Sequence, residues 1–216
     1  AELAICGGAE SRINPMGIMR QGLLKRLNES SNDDPAGAVR PFDANAKGTV
    51  FSEGGGLFIL ENYEHASKRG AKIYAELVGF AASQDTYSVT KPDPTGYSYA
   101  QAVKKALADA KVNADQVGCV VPCGLGIPYH DRAELAGLRQ ALGNQLSQTA
   151  FCPVKAQTGN LAAGSGVDAA TAVLAVHHQK APPAINTRKP LDNQKLNVAT
   201  TARDLKFDVA VSTVYS

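Results

Sequence analysis

Apolar positions change their period several times along the chain, and each change predicts an element. Leu3 to Cys6 reads as a short buried strand ending at Gly7-Gly8. Met16, Met19, Leu23 and Leu27 recur at helical spacing and predict a helix over residues 15–27, which runs out into an exposed polar loop over 28–37. A polar turn at Arg40-Pro41-Phe42-Asp43 and the stretch Thr49-Val50-Phe51 precede Glu53-Gly54-Gly55-Gly56. From Gly56 to Ala66 the apolar residues leave Glu61, Asn62, Glu64 and His65 for the other face, which predicts a helix. Lys72 to Phe80 alternates like a strand, and 81–97 is a loop with turn signals at Lys91-Pro92, Asp93-Pro94 and Thr95-Gly96.

Beyond that loop strands and helices alternate. Helices are expected over 99–110, 131–146 and 162–178, and strands over 116–121, 150–154, 197–199 and 207–211. Such alternation predicts an α/β layered fold. The Ala- and Gly-rich stretch 161–175 must bring its backbone close to a sheet or another helix. No tandem repeat is visible.

Composition narrows the class. With 216 residues, 44% hydrophobic and 19% charged, the chain is globular and can bury a sizeable core. A net charge of +2 gives no footprint for nucleic acid and no polybasic membrane patch. No apolar run approaches the roughly 20 residues a membrane span needs, and because Ala1 reads as the start of a globular-looking strand, no signal peptide is expected in this stretch. Cys6, Cys119, Cys123 and Cys152 lack metal-ligand spacing, so they read as reduced, mostly buried thiols of a cytoplasmic protein, with no metal site.

The stretch that organises the chain is Gly118 to Glu134. A buried strand breaks at Pro122, passes through Gly124-Leu125-Gly126-Ile127-Pro128, and feeds a helix headed by Asp131. That geometry presents loop residues to an α/β site, yet the loop offers only Cys123 and aliphatic side chains. Cys123 with His130 as a nucleophile and base is set aside, because a Cys beside Pro122 in an apolar run reads as packed. Gly54-Gly55-Gly56 lacks the Lys-Ser/Thr of a phosphate loop and reads as close backbone packing. His177-His178 reads as a helix end where cations suit the dipole.

Several segments together resemble the β-ketoacyl-(acyl carrier protein) synthases. They are Gly7-Gly8-Ala9-Glu10, Arg40-Pro41-Phe42-Asp43, Gly48 to Gly56 with Leu60-Glu61, and Ala66 to Val78. Cys123 to Asp131 is similar to that family's His-Gly-Thr-Gly-Thr-Pro loop, and Lys155 to Gly166 to its Lys…Thr-Gly-His…Gly segment; Pro182 to Asn186 matches as well. The resemblance implies a thiolase-like fold of two βαβαβ halves, with sheets around buried helices. Residues 1–82 would be the remainder of the first half, and 83–216 a truncated second half. Both ends read as cut, so a piece of a longer protein is expected.

It also implies decarboxylative Claisen condensation by one Cys and two His. The family Cys would lie before Ala1. The two His positions fall on Cys123 and Asn160, and the two Thr positions that bind phosphopantetheine fall on Leu125 and Ile127. Lys155 stands at the family lysine, Glu134 at its glutamate and Tyr215 at its gating Phe. An ion pair of Lys155, with Glu134 as a candidate partner, is one expectation. The chemistry wants imidazole donors facing a thioester carbonyl and enolate, so these losses imply a non-catalytic subunit like the chain-length factors, which shape a shared acyl tunnel. The alternatives are an active synthase with atypical residues and an upstream Cys, or a structural or regulatory acyl-binding protein. The expected partners are acyl carrier protein and either a second copy or an active synthase. No cofactor is expected to bind directly beyond the carrier's phosphopantetheine arm.

Overall fold

The computed structural model describes residues 2–11, 13–161, 163–191 and 195–215. At its centre three parallel strands run in the order β4-β3-β7, where β3 is Val117–Val121, β4 is Ala150–Phe151 and β7 is Val209–Ser212. β3 feeds two cores, with an irregularity in its pairing with β7 between Val117 and Cys119 that puts Val117 and Val120 on one face despite their odd spacing. Val117 and Val120 turn to a cluster with Val103 and Leu107 of α3 (Tyr97–Ala110) and with Leu135, Leu138 and Leu142 of α4 (Pro128–Leu142). Cys119 and Val121 turn to the opposite cluster, with Ala172 and Ala175 of α6 (Gly164–His178).

On the far side of α6 lies an antiparallel ribbon of β1 (Leu3–Ser11) and β2 (Glu53–Glu61), in register from Leu3 opposite Glu61 to Ser11 opposite Glu53. Helix and ribbon meet backbone to backbone, since a Cβ added at Gly56 would stand 2.4 Å from the Gly166 carbonyl carbon. The layers are therefore α3 and α4, then the parallel sheet, then α6, then the ribbon. The remaining elements are α1 (Pro15–Leu23), α2 (Tyr63–Lys68), α5 (Lys155–Thr158), β5 (Lys180–Ala181) and β6 (Arg203–Asp204), the last two pairing antiparallel.

Several expectations need correcting. The run 56–66 is a strand as far as Glu61, and only Tyr63–Lys68 is helical, capped by Asn62, whose side chain accepts the Glu64 and His65 amides. The first strand extends through Gly7-Gly8 to Ser11, and it is exposed on its outer face, with Ile5 opposite Ile59. Residues 72–80 form no ladder, and residue 197 makes only an isolated bridge to Ala150. The first helix stops at Leu23 with none of its residues buried. The turn at 40–43 is not solvated: Phe42 and Asp43 are buried, with Phe42 at φ 54. The α4 helix begins at Pro128, three residues ahead of Asp131, and gives way at Leu142 to a 3₁₀ turn. Ala162, where the last long helix was expected to begin, lies outside the described residues, as do Ala1 and Ser216. Among the described residues no helix is long and apolar enough to cross a membrane.

Candidate functional site

The loop leaving β3 is held by two carboxylates from the first turns of α4. Glu134 Oε1 accepts the Cys123 amide at 2.8 Å, and its Oε2 accepts the Gly124 amide at 2.9 Å. Asp131 Oδ1 accepts the Leu125 amide at 2.9 Å, while its Oδ2 accepts those of Gly126 at 3.1 Å and Phe42 at 2.8 Å. Gly124 and Gly126 adopt φ 50 and 73, conformations that a side chain rarely takes, and these let four successive amides turn inward. Thr213, just past β7, donates its hydroxyl to Glu134 at 2.5 Å and adds the third β-strand's end to the site.

Both carboxylates are buried. Desolvation pushes the Asp131 carboxyl up to about 8 against the pull of its three amide donors, and it raises Glu134 as well. The Cys123 thiol is pushed up too, by burial and then by the charge of Glu134. It stays a thiol at neutral pH, a poor nucleophile and a poor acid–base group. The Cys123 amide also donates to Thr213 Oγ1 at 3.3 Å, and the Thr213 amide donates to the Val121 carbonyl, which sets the segment after β7 beside Cys123. His130 is not its base, because neither ring nitrogen has a hydrogen-bond partner among the described residues. Cys119 and Cys152 face each other across β3 and β4 with sulfurs 3.9 Å apart, both free and buried; Cys6 is half-buried.

Lys155 does make a buried ion pair, but with Asp168 of α6 rather than Glu134. Glu134 is fully occupied by the loop and Thr213. Burial raises Asp168 to about 6, with Lys155 pulling it the other way, so Asp168 is ionised at neutral pH. The second oxygen of Asp168 has no partner among the described residues. Lys155, Asp168 and Glu134 all lie within electrostatic reach of Cys123. Asn160 follows two residues after α5, where its backbone bridges to Phe51: it donates to Val50 and accepts from Ser52. Ile127 is buried and Leu125 half-buried beside it. Tyr215 stacks on Tyr99 at 5.8 Å between ring centres.

The sequence therefore points to Cys123, Leu125, Ile127, Lys155, Asn160 and Tyr215. The structure brings Lys155 within electrostatic reach of Cys123 and sets the segment that carries Tyr215 beside it, through Thr213. The roles of Asp131, Asp168 and Thr213 were missed. Asp131 carried a signal, an acid in the first turn of a helix after a glycine loop; Asp168 and Thr213 are 13 and 79 residues from the groups they bind and carried none. What the site offers is a neutral thiol, a cation neutralised by its own carboxylate, and amides already spent on carboxylates. Among the described residues no group of three His, Cys, Asp or Glu side chains is arranged to hold a metal ion.

This fold and loop have close relatives. Residues 1–66 match the β-ketoacyl synthase N-terminal domain and residues 74–188 the β-ketoacyl synthase C-terminal domain. The chain belongs to the β-ketoacyl synthase family and has its thiolase-like fold. It is 40% identical over 214 residues to the 3-oxoacyl-[acyl-carrier-protein] synthase 2 of Vibrio harveyi, a match that covers 98% of this chain and 51% of that protein. A type II polyketide ketosynthase, solved with its acyl carrier protein and bound to the hexaketide, superposes with a TM-score of 0.94 at 28% identity, over 98% of this chain and 52% of that one. The ishigamide ketosynthase/chain length factor superposes at 0.86 and 28% identity, over 98% and 50%. The chain spans about half the length of the curated relatives it matches.

Proposed function

We propose that this chain is part of a non-catalytic subunit of the chain-length-factor kind, working in fatty acid or polyketide synthesis in the cytoplasm. On this reading it divides near residue 82 into the remainder of one thiolase-like half and a truncated second half. It would pair with an active synthase and meet acyl groups carried on the phosphopantetheine of acyl carrier protein. The observation that carries this reading is the state of Cys123. At the position where the family resemblance asks for an imidazole there is a buried thiol kept protonated, with its amide bound to Glu134. Such a group neither donates strongly to a developing oxyanion nor moves a proton near neutral pH. Asn160 offers an amide at the other position, and Leu125 and Ile127 line the loop with hydrocarbon, which suits a tunnel wall better than a pantetheine arm.

A second reading keeps some support, since the curated relative at 40% identity is itself a synthase. There the full-length protein would condense acyl and malonyl thioesters with an upstream Cys, and Asn160 would serve as the carbonyl donor. Intact mass after incubation with acyl-loaded carrier protein separates the two. We expect no acyl adduct on this subunit and one on its partner synthase. An adduct here, mapped to one Cys, would establish the enzyme and end the partner reading.

A further inference from the structure

His130 lies in the first turn of α4 with only 2% of its surface exposed, yet neither of its ring nitrogens is bonded among the described residues. A buried imidazole that makes no hydrogen bonds is held by something else. Here it is held by rings. Tyr129 lies 4.7 Å away, and Tyr215 meets the imidazole edge-on at 4.9 Å. On its other side Tyr215 stacks on Tyr99 of α3 at 5.8 Å, with ring planes 25° apart. Two helices thus grip one ring from the segment after β7.

That segment also reaches Cys123. Thr213 donates to Glu134, and its hydroxyl oxygen accepts the Cys123 amide at 3.3 Å, so the segment lies against Cys123. Arg26 acts on both His130 and Tyr215, Asp85 and Tyr129 act on Tyr215, and both oxygens of Asp131 are taken by the amides of the loop and of Phe42. We propose that His130 and Tyr99 are positioning residues that clamp Tyr215, and so hold residues 213–215 closed over Cys123. The consequence, control of entry to an acyl passage beside Leu125 and Ile127, rests on the reading given above; the clamp itself does not.

The other buried cysteines make a clean test. In the full-length protein, iodoacetamide labelling at mildly alkaline pH is followed at each Cys by peptide mass. In the unmodified protein Cys123 should be as protected as Cys119 and Cys152. His130→Ala should raise the rate at Cys123 about tenfold, the scale of one lost aromatic contact, and leave Cys119 and Cys152 unchanged. Tyr99→Leu should do the same from the other helix. His130→Phe should restore protection, because the ring packs without its nitrogens. An unchanged rate at Cys123 in both loosening variants overturns the clamp, and so does a rise at all three cysteines in step. No acyl group enters the assay, so an adduct on this subunit would sink the partner reading and leave the clamp standing.

Discussion

At the scale of single residues, the groups that decide the chemistry are those whose ionisation burial has moved. His130 falls from its ordinary 6.5 to about 4, first because it is desolvated and then because Arg26 is near. Between those values the unfolded chain binds the proton and the folded one does not, so stability rises with pH across the window and is lost as pH falls through it. Asp168 and Asp131, both raised, tilt the opposite way over part of the same range and mask the effect in the unmodified protein. His130→Phe isolates it. The variant should gain up to about 3 kcal/mol on the unmodified protein between pH 6.5 and pH 4, read as the difference between their urea midpoints at the two ends. A constant difference across that range would mean that His130 is already charged in the folded state.

Elements are positioned here by contacts that side chains do not make. Gly166 of α6 and Gly56 of β2 approach so closely that a Cβ on Gly166 would sit 2.5 Å from the Gly56 carbonyl oxygen. In an exposed helix, Gly→Ala gains about 1 kcal/mol of propensity. At Gly166 overpacking should win, and Gly166→Ala should cost about 1–3 kcal/mol net, seen as a lower urea midpoint for the full-length protein. A higher midpoint would show that the ribbon can move away from α6. The same contact explains what the sequence does and does not reveal. The helices around 99–110, 131–142 and 164–178 and the strand at 117–121 were legible because each carries its own period over a buried face. The ribbon was only half legible. Glycines at 54–56 announced close packing, but the partner of β2 lies some 50 positions upstream, and an apolar run beside polar residues reads equally as a helix face. Alternation over 72–80 gives a side-chain rhythm and no information about a pairing strand.

For the whole molecule, family membership was legible because many short segments keep their order along the chain. The site was legible only where a side chain stands in a recognisable place. Cys123, Asn160, Leu125 and Ile127 could be read from local matches, whereas the pairing of Lys155 with Asp168 is a product of how α5 and α6 come together. Restoring the two missing imidazoles should therefore not restore the chemistry. With Cys123→His and Asn160→His together, this chain should yield no β-ketoacyl product when given acyl- and malonyl-loaded carrier protein, followed by mass spectrometry of the carrier. Detectable product would show that the rest of the machinery is already in place.

The loop after β3 owes its path to Asp131 and Glu134, which hold it through the main-chain amides of residues 123–126. Frame and cargo are thereby separated. The side chains of Cys123, Leu125 and Ile127 can be exchanged while the backbone that presents them stays fixed, since the carboxylates hold the main chain alone. The same separation makes these three positions a ready cassette for redesign, in which the size and polarity of the side chains are rewritten without touching the scaffold.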